Sequence, residues 1–251
     1  MSQSTAPSDS CRGEESAIGS RGSGTGHASL AALGTQLRRR EFFAPVAAMV
    51  RVPQKTIRYA PADKLYDLWI GILAGIQGIG EINRVLRADP ALQRAFGRTA
   101  CAEQSVIQDT LNACTPENVA QLAEAVAAIF RRYSRAARHR YTEAWLLLDV
   151  DTSGMPCGRK AEFATKGYFA GKRNRRGRQL GRVLATDYQE IVVDQLYDGK
   201  TQLNTALPGL MRAAEAVLQT RPEERERTLV RVDAGGGTLA DVNDLDRKSV
   251  V

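Results

Sequence analysis

The sequence predicts an α/β protein: an all-helical N-terminal module followed by a partial β-β-β-α-β core. Three observations carry this. Apolar residues recur at helical spacing between residues 61 and 138, short apolar runs broken by turn residues begin near Trp145, and the basic charge is concentrated among those runs. The 251 residues suffice for one large domain or two modest ones. With 43% hydrophobic and 25% charged residues the composition is that of an ordinary globular protein, which excludes a collagen-like or wholly disordered chain. The longest apolar stretch, Leu68–Ile76, is too short to span a bilayer, so no membrane partner is expected. No apolar signal-peptide segment is read near the N-terminus. Cys11, Cys101, Cys114 and Cys157 lie far apart with no CxxC pairing. That argues against a structural zinc site or a disulfide framework and for reduced thiols in a cytoplasmic protein.

The order along the chain divides into residues 1–41, 42–142 and 143–251. The first is rich in Ser and Gly with no aromatic residue before Phe42, and reads as a flexible leader. In the second, Leu65, Leu68, Trp69, Ile72 and Leu73 recur at i, i+3, i+4, i+7 and i+8, predicting one buried helical stripe. Asp89-Pro90 is a capping residue before a first-turn proline and opens a short helix through Phe96. Thr115-Pro116-Glu117 repeats that signal. It leads into a stripe of Val119, Leu122, Val126, Ile129, Phe130 and Tyr133.

In the third segment, Leu146–Asp151 is a short apolar run that the Thr152–Pro156 stretch breaks, predicting a buried strand that ends there. Gln179–Thr186 and Glu190–Tyr197 read as a hairpin about a polar Asp187-Tyr188-Gln189 turn. Leu207, Leu210, Met211, Ala214, Val217 and Leu218 predict a helix, and Thr228–Asp233 a further strand closed by Gly235-Gly236-Gly237. The triple glycine lacks the Lys-Ser/Thr pair of a phosphate loop.

The charge is not spread evenly. Gly158–Arg182 holds nine basic residues and one acid, Glu162, so this window carries +8 of a chain total of +7 and the remainder nets to −1. Such concentration points to a polyanionic partner. Lys166, Lys172, Arg173, Arg175, Arg176, Arg178 and Arg182, interleaved with Phe163, Tyr168 and Phe169, are the expected DNA-binding residues. His27 lies in the leader and His139 in a basic helix end, and neither reads as catalytic.

Two acids end apolar strands, Asp151 and Asp233. A carboxylate there is costly unless it is hydrogen-bonded, paired or on a metal. Adjacent strands would bring both to one sheet edge as hard oxygen ligands suited to Mg²⁺. Asp149 alternates onto the same strand face as Asp151, so either can be the first ligand.

Leu147–Gly154, Thr165–Tyr168, Gly177–Leu180 and Val230–Gly235 together resemble bacterial insertion-sequence transposases of the DDE class. Upstream, Asp63–Ile76, Leu86–Phe96 and Gln104–Gln121 are similar to the helical region preceding the core in that family. The resemblance covers roughly residues 42 to 243. It implies an RNase-H-like core, Asp151 (followed by Thr152-Ser153) and Asp233 as catalytic residues and metal ligands, and Mg²⁺ or Mn²⁺ as cofactor. It further implies hydrolytic nicking and strand transfer at element ends. The implied partner is double-stranded DNA, both inverted-repeat ends and target, with a nucleoid-associated location and room for a homo-oligomer.

The family's third acid is a Glu on a later helix, and no Glu follows Glu226 here. The apolar stripe opened by Leu239-Ala240-Asp241-Val242 is lost by Asp246. The resemblance therefore implies a truncated copy that does not transpose by itself. Two other classes fit the same charge: a copy that grips DNA without chemistry, and a basic RNA-binding or nucleoid-associated protein whose acids are structural.

Overall fold

The computed structural model describes residues 24–55, 58–169 and 171–232. Among them the chain is mixed α/β, with nine α-helices and one five-stranded mixed sheet. The helices are α1 (Ala28–Arg39), α2 (Ala44–Met49), α3 (Pro61–Leu73), α4 (Ile82–Val85), α5 (Pro90–Ala95), α6 (Gln104–Asn112), α7 (Pro116–Tyr133), α8 (Leu203–Leu218) and α9 (Pro222–Arg225). The strands are β1 (Leu146–Pro156), β2 (Thr165–Phe169), β3 (Lys172–Ala185), β4 (Glu190–Asp198) and β5 (Thr228–Val232). No helix among the described residues is long and apolar enough to cross a membrane.

The described residues divide into two compact units, those up to 41 with 63–111, and 42–62 with those from 112 on. This division departs from a boundary at residue 142, because α2 packs on α7 and α7 on α8, drawing those helical segments to the sheet.

The first unit corrects the expected leader. Ala28–Arg39 is helical, as its Ala and Leu content favours, and Gly34 lies so close to Phe96 that a Cβ would meet the ring at 2.5 Å. Residues 1–23 lie outside the described residues. The stripe expected on α3 is also displaced. Its inward face carries Lys64, Asp67, Ile70 and Gly71, while Ile72 and Leu73 are exposed. The cause is Asp67, fully buried yet fully partnered: Arg98 donates Nε to one oxygen at 2.8 Å and Nη2 to the other at 3.3 Å. The Ala102 N–H adds a third bond at 2.9 Å. The predicted cap at Asp89 does form, accepting from the Leu92 N–H at 2.9 Å.

In the second unit Thr115 caps α7 as expected, in a capping box with Asn118. The Asn118 amide donates to the Arg51 carbonyl at 2.8 Å, which turns Asn118, Ala125 and Ala127 inward and leaves Val119, Leu122 and Val126 exposed. The predicted stripe therefore faces out over its first half.

The sheet runs β2-β3-β1-β5, with β4 also pairing β3. β1 is antiparallel to β3, β3 antiparallel to β4, and β1 parallel to β5. Leu146, Leu148 and Val150 alternate into a core shared with Val183, Ala185, Val192 and Val193. The predicted helix face, with Leu207, Leu210, Met211 and Ala214 buried, covers that side as α8. The 186–189 turn is tight, with Gln189 in the left-handed region at φ 55°.

Two strand expectations change. β1 does not stop at the Thr152–Pro156 stretch; it continues to Pro156, though its buried alternation ends at Val150. The basic window is no open loop either, since it contains β2 and the first half of β3. Phe169 folds beneath this ribbon, 1% exposed. A Cβ on Gly177 would come within 2.7 Å of its ring, and one on Gly199 within 2.3 Å of the Gly177 carbonyl, so this close approach requires glycine at both positions.

Candidate nucleic-acid and metal site

The sheet face opposite α8 carries a ladder of alternating charge. Asp149 on β1 stands opposite Arg231 on β5, and Asp151 stands opposite Arg182 on β3, which in turn faces Asp194 on β4. Period-two alternation puts these residues on one face, since their neighbours Leu148, Val150 and Val183 point into the core.

Within that ladder Asp149 is engaged. Arg231 donates Nε and Nη2 to its two oxygens at 2.6 and 2.7 Å, a bidentate pair that holds the Asp149 carboxyl below its ordinary pKa. Arg182 grips Asp194 in the same way, at 2.7 Å through both Nε and Nη2. Asp151 is exposed and, among the described residues, its carboxylate accepts only the adjacent Thr152 N–H, at 2.6 Å. Of the two alternatives on β1, Asp151 is thus the carboxylate open to a ligand. It lies inside the strand rather than at its end, at the point where burial stops.

Asp233 lies outside the described residues, as do Gly235, Gly236 and Gly237. The last register pair of β1 with β5 is Val150 with Val232, the residues immediately before Asp151 and Asp233 in sequence. No group of three or more His, Cys, Asp or Glu converges among the described residues. What is present fits a hard cation only as far as one open oxygen ligand, Asp151.

The seven expected DNA-binding residues separate into two groups. Lys166, Lys172, Arg173 and Arg175 are exposed on the β2–β3 ribbon. Arg159 and Lys160 are exposed in the preceding connection. The other three have partners within the chain. Arg182 is neutralised by Asp194. Arg176 donates to the Ala164 carbonyl at 2.9 Å and Arg178 to the Glu162 carbonyl at 2.6 Å, tying down the 157–164 connection while keeping their charge. Of the interleaved aromatic residues, Phe169 is core rather than contact surface, and Phe163 is 68% exposed.

Sequence reasoning missed two features. Arg231 appears only as one residue in a strand, and its role requires knowing which strand pairs with β1. The second is a run of five arginines with no acid across residues 131–140, which a local charge count finds directly.

Compared with family models, with curated proteins and with solved structures, the chain matches none.

Proposed function

We propose that this chain is a DNA-binding polypeptide of the DDE transposase class, with an RNase-H-like core acting on phosphodiester bonds. The observation that carries the reading is the parallel pairing of β1 with β5 beside the cationic β2–β3 ribbon. Asp151 and Asp233 each follow directly on the last parallel register pair, Val150 with Val232, which supports them as joint ligands of one Mg²⁺ or Mn²⁺ ion. A divalent ion there would supply activation of the attacking oxygen and charge stabilisation at the phosphate. Asp151 and Asp233 would bind and orient it, with Arg231 keeping Asp149 out of the ligand set.

Lys166, Lys172, Arg173 and Arg175 would track the phosphate backbone. A two-stranded ribbon is also one of the shapes the major groove of B-form DNA admits.

The salt dependence of duplex binding tests this reading. Replacing Lys172, Arg173 and Arg175 with Gln lowers affinity across sequences and flattens the plot of log K against log salt by roughly 0.9 for each phosphate no longer neutralised. An unchanged slope would mean that the ribbon is solvated surface. Tighter binding to double-stranded RNA than to DNA would favour the RNA-binding alternative.

A further inference from the structure

A second cationic site lies at the far end of the sheet. Arg135, Arg138 and Arg140, with His139, Glu143, Ala144 and Tyr188, line an open cleft of about 300 Å³. Three guanidinium groups share this space with two carboxylates, Glu143 and Glu190, which leaves a net positive charge. Glu143 pairs with Arg140 at 2.8 Å. Glu190 approaches Arg135 at only 3.7 Å, and its oxygens already accept from the Ser134 hydroxyl (2.5 Å) and the N–H groups of Ala136 (3.0 Å) and Arg135 (3.1 Å). Among the described residues Arg138 has a carbonyl partner, that of Arg132, and no carboxylate.

The floor of the cleft is held in place. The Arg135 guanidinium lies 5.7 Å from the Tyr188 ring centre and donates to the Tyr188 carbonyl at 3.0 Å. The Tyr188 hydroxyl meets His139 Nδ1 at 2.7 Å, and His139 Nε2 donates to the Ala144 carbonyl at 3.0 Å. A cleft of net positive charge with a held floor favours an anion, because part of the site is already ordered before binding.

We propose that this cleft is a second phosphate site, occupied by a backbone phosphate of duplex DNA; the proposal rests on the DNA-binding reading above. The side chains of Arg135 and Arg140 are 71% and 73% exposed, which suits an extended ligand lying across the cleft better than a small enclosed anion. The cleft adjoins the 186–188 turn where β3 ends, whereas the ribbon cations stand where β3 begins. Fourteen residues of strand span about 43 Å at about 3.3 Å each. A duplex rising about 3.4 Å per base pair covers that distance in roughly a dozen pairs. A duplex touching both clusters would have to be at least that long.

The test uses the full chain and a 30-base-pair duplex, comparing wild type with Arg138→Gln/Arg140→Gln. The expected result is affinity lowered about tenfold near physiological salt and a salt slope flattened by between 1 and 2. An unchanged slope overturns the proposal. Arg140→Gln alone, whose side chain is exposed and whose ion-pair partner is Glu143, supplies the reading if the double variant misfolds; its slope should flatten by about 1. Pyrophosphate titration separates the two sources of phosphate. Saturable binding lost in the variant, with DNA binding unaffected, assigns the cleft to a free anion and overturns the DNA assignment. The Lys172/Arg173/Arg175 variant, run in parallel, keeps the readings apart. If it alone loses affinity the second site fails and the ribbon stands; if the Arg138/Arg140 variant alone loses affinity the ribbon fails and the cleft stands.

Discussion

Asp149 and Arg231 face each other across the parallel β1–β5 pair and close a bidentate ion pair at 2.6 and 2.7 Å. This contact decides which β1 carboxylate is open, because it occupies Asp149 and leaves Asp151 exposed two residues on. It also bridges the two strands, β1 and β5, whose last register pair, Val150 with Val232, immediately precedes Asp151 and Asp233 in sequence.

Replacing Asp149 with Asn is expected to cost little. The pair is partly exposed, Asp149 at 33% and Arg231 at 54%, so water screens it and its net contribution to stability is small. The urea midpoint of Asp149→Asn should stay within about 0.5 M of wild type. Its affinity for Mn²⁺ in the presence of duplex should be unchanged. Loss of Mn²⁺ binding would place Asp149 in the ligand set instead of beside it.

Acid should weaken the second unit chiefly through Glu190, with a small contribution from the exposed Asp149 pair. Glu190 would be raised by burial, but hydrogen bonds from the Ser134 hydroxyl and the Ala136 and Arg135 N–H groups outweigh this and hold it below its ordinary value of 4.5. Arg231 holds Asp149 below 3.8. Both therefore bind protons less readily in the folded chain than in the unfolded one. Their stabilisation is complete above those ordinary values and is lost as pH falls through the depressed folded values. Urea midpoints measured from pH 6 to pH 3 should decline, and Glu190→Gln should show a shallower decline. Equal slopes for the two proteins would remove Glu190 from this account.

In the first unit, Asp67→Ala should be among the costliest single changes. Removing one partner of a buried pair strands the other charge, at a cost of about 3–5 kcal/mol. Arg98 would keep Asp63 at 2.7 Å but lose both bonds to Asp67, and the Ala102 N–H would lose its acceptor. A shift in the urea midpoint equivalent to less than about 1 kcal/mol would show that Arg98 re-pairs with Asp63 and solvent.

Much of the second unit was legible in the sequence, because its elements obey local rules. The alternation of Leu146, Leu148 and Val150, the β3–β4 turn and the apolar face of α8 each follow from residue spacing. The helical stripes failed where polar residues turned inward. Asp67 and Asn118 are buried because distant groups, Arg98 and the Arg51 carbonyl, satisfy them, and periodicity records neither partner. The basic window was found by counting charge, but its division into exposed and tethered cations was not. That depends on register, which sets Arg182 opposite Asp194. Phe169 looked like a contact residue and is core, since the glycines that admit it lie at positions 154, 167, 177 and 199, far apart in sequence.

The central claim is that Asp151 and Asp233 together form a divalent-ion site in a DNA-binding core. It is tested most directly by Mn²⁺ titration of the chain–duplex complex, followed by electron paramagnetic resonance, for wild type, Asp151→Asn and Asp233→Asn. The account predicts a saturable Mn²⁺ site in the wild-type complex that each substitution removes, with duplex affinity retained in both variants. Saturable binding that survives Asp151→Asn, or a wild-type complex that takes up no Mn²⁺, would contradict it.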